Sequence, residues 1–229
     1  MIIYGKQVVL YVLKNHPNII EEVMFSKEIE NKTFNQFLTL SKKIIKLDNK
    51  KAQSLAQGGN HQGFFLKLNK YTFTPINHIK KDSFILVLDG LTDVGNIGAI
   101  TRSAYALGIN SIIVSGIKSI KEEAIIRTSS GAFLDIAFNL YQNNSELLNE
   151  LKQSGFTLIG ATKNGVDLTK YQKVDKSDKV ALILGNENTG LCNKIEKKLD
   201  LKVSIKMHNK FDSLNVSVAA GILMYNLTK

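Results

Sequence analysis

The polar side chains with the clearest chemical use fall at three glycine-rich or small-residue corners. Asn96 and Arg102 lie in DVGNIGAITR (93–102), Glu187 lies in NENTGL (186–191), and Ser213 and Asn215 lie in SLN (213–215). Together they offer an amide, a guanidinium, a carboxylate, a hydroxyl and a second amide. That set shows no obvious Ser-His-Asp triad, no metal cluster and no phosphate loop. The guanidinium is a sparing choice: the chain has two arginines among 30 Lys and Arg. Lysine serves wherever a bare cation suffices, and arginine adds planar, two-pronged recognition of phosphate. An ordinary surface arginine is the competing reading.

Nucleotide loops do not explain these corners. A Walker loop needs Gly-Lys-Ser/Thr where this chain has Gly190, Leu191 and Cys192, and a dinucleotide fingerprint needs glycine where Glu187 stands. Cys192 is the one cysteine, so an internal disulfide is excluded and a cofactor or metal cage of Cys and His is not indicated.

Each corner follows an apolar run that reads as a strand. FILVLDG (84–90), SIIVSG (111–116), FTLIGAT (156–162), KVALILGN (179–186) and LKVSIKM (201–207) are continuous in Val, Ile and Leu, as in parallel strands covered by helices on both faces. Ligands of such sheets bind beyond the carboxyl ends of the strands, where the corners are. Gly95 and Gly98 permit close backbone approach, and the alanines after them favour helix, which places Arg102 one turn beyond Gly98. Asp212 or Ser213 is positioned to cap a last helix that carries Ala219, Ala220 and Gly221.

The first third is a separate α/β pattern. Helical spacing in YGKQVVLYVLKNH (4–16) and TFNQFLTLSKK (33–43) alternates with strand-like IIEEVMFS (19–26), IIKL (44–47) and QGFFLKL (62–68). Asp48 is the expected cap of a helix over 49–57. The predicted organisation is a first domain over 1–68, a linker over 69–82 containing Pro75, and a second domain over 83–229.

The net charge of +10 is uneven: residues 1–80 carry 12 Lys against 5 Asp and Glu. That bias suits a nucleic-acid partner, because neutralising phosphates releases condensed counterions. Lys42, Lys43, Lys46, Lys50 and Lys51 form the densest cationic run, with a solvated face as the alternative reading. No apolar run is long enough for a membrane span and no secretory leader is visible, so a soluble, cytoplasmic protein without a membrane partner is expected.

With these residues in place, the chain resembles the SpoU, or TrmH, family of RNA 2′-O-ribose methyltransferases over nearly its whole length. DVGNIGAITRSAYALG, LILGNENTGL, and VSIKM followed by SLNVSVAAG correspond to its three ordered motifs, with a weaker match in SSGA (129–132). YGKQVV and NHQG (60–63) look like an L30e-like RNA-binding extension. The resemblance implies a SPOUT-type α/β catalytic domain with a carboxyl-terminal trefoil knot. It implies S-adenosyl-L-methionine as cofactor, matched by Gly185, Ile205 and Leu214, and no metal. It further implies a homodimer, and it assigns Asn96, Arg102, Glu187, Ser213 and Asn215 to substrate positioning and chemistry. The substrate it implies is a guanosine in large-subunit (23S) ribosomal RNA. A catalytically silent RNA-binding or ribosome-associated relative, a transfer-RNA enzyme and a resistance methyltransferase are the competing assignments. Two positions depart from the family pattern: Val94 and Lys206 stand where it has proline.

Overall fold

The structure is a computed structural model that describes residues 1–40, 42–170, 179–187, 189–208 and 213–228. Asp212, one of the two expected caps of the last helix, lies outside the described residues. The chain divides into two compact units, one of residues 1–72 with 121–131 and one of 73–120 with 132–229.

The first unit begins with β1 (Ile2–Tyr4), α1 (Lys6–Asn15), β2 (Ile20–Phe25), α2 (Asn31–Leu38), β3 (Lys43–Lys46), α3 (Asn49–Ala56) and β4 (Phe64–Leu68). Its strands lie in the order β1-β4-β2-β3; β4 is antiparallel to both neighbours and β3 is parallel to β2. The helix spacing read from the sequence is realised in α1, which buries Val8, Val9 and Val12. Asp48 caps α3, accepting from the Lys51 N–H at 2.7 Å. Met24, Leu47, Ala52, Ala56 and Phe65 form one cluster under α3. β1 was missed by the pattern reading, since three residues are too few to show a period.

The second unit opens with α4 (Ile76–Ile79) inside the stretch expected to be linker, and Ile79 is fully buried in this unit's core. It continues with β5 (Phe84–Asp89), α5 (Val94–Ala106) and β6 (Ser111–Ser115). The chain then contributes α6 (Glu122–Thr128) to the first unit. There the guanidinium of Arg127, the other arginine, lies 4.4 Å from the centre of the Tyr4 ring. Gly131, at φ +98°, closes α6 against the Tyr11 ring.

β7 (Ala137–Tyr141), α7 (Asn144–Gln153), β8 (Phe156–Asp167), β9 (Lys179–Leu184), α8 (Asn193–Glu196), β10 (Leu201–Ser204) and α9 (Val216–Leu227) complete the second unit. All six strands are parallel, in the order β10-β8-β9-β5-β6-β7. Ile85, Val87, Ile113, Leu158, Ala181 and Ile183 pack with Ile79, Leu147, Leu151 and Ile195 from α4, α7 and α8. The alternate residues Leu86, Leu88, Ile112 and Leu182, fully buried, point to the opposite face by the two-residue period of a strand. With both faces covered, no polar alternation is required, which accounts for the unbroken apolar runs. β7 escaped the sequence reading because AFNLY is short and holds a polar residue, Asn139, which donates to the Thr74 carbonyl at 2.8 Å.

β8 is the irregular strand. Its register with β10 jumps from Lys202–Gly160 to Val203–Val166, so residues 161–165 swing out of the ladder. Gly165 lets the strand rejoin β10: a Cβ there would lie 2.6 Å from the Val203 nitrogen.

Candidate active site

The carboxyl ends of β5, β9 and β10 bring the three corners together. After β5, Asp93 caps α5 by accepting from the Asn96 N–H at 2.6 Å. Gly95 leaves room for that cap, since a Cβ would stand 3.1 Å from the Asp93 carboxylate. Val94 is the first residue of α5, a position where proline loses no hydrogen bond; here the Asp93 cap fixes the helix start. Asn96 is thus held in the first turn. Gly98 is buried in the helix's packing face while Arg102, one turn on, is exposed, so the two do not line a common surface.

After β9 the chain turns through 185–190. Asn186 and Gly190 bridge, with the Gly190 N–H donating to the Asn186 carbonyl at 2.8 Å. Gly185 lies flat against that turn: a Cβ would meet the Gly190 backbone and come within 2.6 Å of the Leu191 nitrogen. The Asn186 side chain donates to the Gly90 carbonyl at 3.0 Å, tying this turn to the end of β5. Asp89, beside Gly90, is 7% exposed and accepts from Ser115 at 3.1 Å and from the Asn144 amide. Burial pushes its carboxyl above the ordinary range, opposed by the Ser115 hydrogen bond.

Three corner residues form one chain of hydrogen bonds. Asn215 Nδ2 donates to Asn96 Oδ1 at 3.1 Å, and Asn96 Nδ2 donates to Glu187 Oε1 at 2.6 Å. Asn215 is also the cap of α9: its Oδ1 accepts from the Ser217 N–H at 2.8 Å and hydroxyl at 2.5 Å. The cap expected at 212 or 213 is therefore carried by Asn215, because its short amide reaches the second helical N–H while its other end serves Asn96. Arg102 and Ser213 take no part in this chain; both are exposed.

Beside the corners is a cleft of about 1250 Å³. Glu187, Ile205, Ser213 and Leu214 line it, whereas Gly185 does not and acts by letting the 186–190 turn close. The swung-out 161–165 segment forms a further part of the wall, with Asp167 and Lys202. Asp167 is held below the usual carboxylate range by hydrogen bonds from the Thr169 N–H (3.0 Å) and hydroxyl (2.8 Å), and further by the charges of Lys206 and Lys170. Lys206, at a usual proline position, thus places its charge beside Asp167. Sequence reasoning missed this wall. The clue was TKNG (162–165), four turn-compatible residues in what is formally one twelve-residue strand.

The chain is similar in sequence and in fold to known proteins. Residues 83–225 match the SpoU rRNA Methylase family, and residues 2–74 match the RNA 2'-O ribose methyltransferase substrate binding family. A Borreliella burgdorferi protein named as a tRNA/rRNA methyltransferase is 34% identical over 89% of this chain and 93% of its own. YacO of Bacillus subtilis, named for the TrmH family of tRNA/rRNA methyltransferases, is 27% identical over 98% of this chain and 94% of its own. In fold, the SpoU methyltransferase AviRb of Streptomyces viridochromogenes, solved with the cofactor AdoMet, superposes with a TM-score of 0.80 at 21% identity, covering 100% of this chain and 89% of that one. The chain belongs to the SpoU family of methyltransferases, with the family's substrate-binding domain at its amino-terminal end.

Proposed function

We propose that the protein transfers a methyl group from S-adenosyl-L-methionine to the ribose 2′-oxygen of a guanosine in 23S ribosomal RNA. The observation that carries this reading is the double placement of Glu187, which lines the cleft and accepts from Asn96 at 2.6 Å. One residue thereby links a cofactor-sized cavity to the polar corners where a ribose would be held.

The cleft fits the cofactor by its donor set. Ile205, Leu214 and Leu223 offer an apolar wall for an adenine, and Asp167 and Glu187 offer carboxylates to the cationic end. When bound, S-adenosylmethionine supplies a methyl group activated by a sulfonium. The chain's own task is alignment, which can remove about 7–11 kcal/mol of a barrier, together with electrostatic stabilisation. Arg102, exposed to solvent, grips the phosphate next to the target ribose and stabilises the developing alkoxide as the 2′-hydroxyl gives up its proton to water. A guanidinium with a pKa above about 12 is unsuited to accept that proton, so Arg102 acts electrostatically. Ser213 and Asn215 orient the ribose, and Glu187 holds Asn96 in place.

The basic first unit carries the RNA, a reading supported by its 12 Lys against 5 Asp and Glu over residues 1–80, and the reaction is cytoplasmic. The carboxyl-terminal segment threads a trefoil knot, one of the rare exceptions to unknotted chains, a reading supported by membership of the SpoU family. Two copies pair through the second unit, a reading supported by exposed Tyr105 on α5 and Val218 and Tyr225 on α9.

Mapping of 2′-O-methylation in RNA from a strain lacking the gene tests the reading. Loss of one guanosine methylation in 23S RNA is expected. Loss of a transfer-RNA site would overturn the ribosomal substrate, and an unchanged map the activity itself.

A further inference from the structure

We propose that the first unit holds a pocket for one unpaired nucleotide of the RNA substrate, with the base among Asn49, Gln53 and Asn60 and its phosphate on Lys27. The inference rests on the RNA-methyltransferase reading above and adds to it a site that selects a base away from the reacting ribose.

The pocket has a volume of about 480 Å³, within the roughly 300–1,000 Å³ typical of small-ligand sites. Lys27 follows β2, Asn49 and Gln53 lie on α3, and residues 58–62 close the third side. Among the described residues, four amide side chains, those of Asn49, Gln53, Asn60 and Gln62, line it without a carboxylate. Amides both donate and accept, which is what reading the edge of an unstacked base requires. One cation at the edge and none within suits a phosphodiester at the mouth more than a free multivalent anion inside. The polar lining gives an apolar protein side chain nothing to bury against.

The floor is preorganised. His61 is 7% exposed and its ring packs on Phe65 with centres 4.9 Å apart. Its Nδ1 accepts from the Gly63 N–H at 3.0 Å, which in the neutral ring leaves the proton on Nε2. Nε2 lies 3.3 Å from the end of the Gln53 side chain; as a donor it pairs only with the amide oxygen, so the imidazole turns that oxygen inward and leaves the amide NH2 facing the pocket. Gln62, at φ +53°, turns its side chain to accept from the Lys6 N–H at 3.1 Å and anchors the loop to the start of α1. Gly58, at φ +77°, has open space where a Cβ would be, leaving the mouth clear. Rigid polar groups of this kind lose little freedom on binding. A base already paired in a duplex would have its edge occupied and its neighbours stacked, so the pocket selects single-stranded or looped RNA.

Fluorescence anisotropy of the full chain with short labelled oligoribonucleotides of A, C, G or U, and with a duplex, tests the site. Wild-type protein is expected to prefer one base and single strands over duplex. Asn60→Ala, Asn49→Ala and Gln53→Ala should each weaken the preferred oligonucleotide roughly tenfold and flatten the base preference. Lys27→Ala should keep the preference and lower the salt slope by about one. Gln53→Ala is read only alongside an unchanged melting temperature, while the exposed Asn49 and Asn60 carry the result if it unfolds. Binding without base preference, a preference for duplex, or variants indistinguishable from wild type would overturn the pocket alone, since the same protein would still methylate RNA. A wild type that binds none of these oligonucleotides would likewise overturn the pocket, while an unchanged methylation map in the deletion strain would overturn the methyltransferase reading.

Discussion

Asn96 accepts from Asn215 on one side and donates to Glu187 on the other, so the polarity of the chain of hydrogen bonds fixes both amides in one orientation. Glu187 can only accept when ionised, which makes it the terminus that sets the direction. Asn96→Asp keeps the shape and reverses one end: two carboxylates would then face each other, and one would hold its proton to higher pH. Loss of a hydrogen bond to a charged group is worth about 1.5–3 kcal/mol, so methyl transfer near neutrality should fall about ten- to hundredfold. The variant should regain activity as pH is lowered and the shared proton binds, a trend single-turnover rates can follow and an unrelated structural defect would not produce. Arg102→Lys tests the guanidinium: most transfer should disappear while S-adenosylmethionine binding, measured by calorimetry, persists. Wild-type turnover in that variant would remove phosphate gripping from the mechanism. At this scale the sequence was informative because corner residues are local: an Asn in the first turn of a helix and a Glu in a tight turn are visible without the fold. That Asn215 would both cap α9 and bind Asn96, 119 residues away, was not visible, since it depends on two elements meeting.

Elements set the cleft through close backbone approaches that a sequence pattern does not display. Gly185 reads as one more glycine after a strand, yet a side chain there would drive into the 190–191 backbone. Gly185→Ala should destabilise the protein by about 1–3 kcal/mol and move Glu187 with the turn, lowering transfer more than thermal stability alone explains. Gly221→Ala on α9, with open space around it, is the matched control and should be neutral or slightly stabilising. The second unit is also pinned by the segment expected to be linker. Lys80, just past α4, pairs with Glu150 on α7 at 2.7 Å, and the Tyr141 hydroxyl donates to the same carboxylate at 3.0 Å. The Lys80 hydrogen bond holds Glu150 below its ordinary 4.5, while burial, aided by Glu150, pushes Tyr141 up to about 12. A depressed carboxylate stabilises the fold above its ordinary pKa, and that contribution is lost as pH falls through the depressed value. Lys80→Met should therefore lower the melting temperature at pH 7, and the gap from wild type should close as pH drops below about 4. An equal gap at both pH values would rule out the ion pair as its source. The periodicity of 69–82 gave no sign of this role, because α4 is a single turn and its value lies in Ile79 and Lys80 reaching α7.

On the scale of the whole molecule, the charge and the exposed apolar residues pull toward different partners. The lysines of the densest run, Lys42, Lys43, Lys46, Lys50 and Lys51, are all exposed, and two of them lie on β3 at the edge of its sheet. Lysine on an edge strand also blocks strand-to-strand aggregation, so exposure by itself does not make an RNA surface. Reversing Lys50 and Lys51, which lie on α3 away from that edge, separates the two roles: a phosphate surface should lose salt dependence of RNA binding by about one unit of slope per contact. Residues 121–131 show what no local pattern could have revealed, a helix that falls in chain order between two paired strands of the second unit yet belongs to the first unit. Pairing of two copies is the remaining question at this scale. A net charge of +10 opposes self-association, so a stable pair must bury apolar surface. Tyr105 on α5 is 45% exposed, and α5 packs on α9, whose Tyr225 is 50% exposed. Tyr105→Glu would bring a charge into that contact without touching the Asn96 chain one helix end away. Sedimentation velocity at micromolar concentration should show a dimer for wild type and a monomer for Tyr105→Glu. Because a partner that binds only the folded chain stabilises it by mass action, the wild-type melting temperature should rise with protein concentration and the variant's should not. A wild type that sediments as a monomer, with a melting temperature independent of concentration, would overturn the pairing and leave each site to be built from one chain.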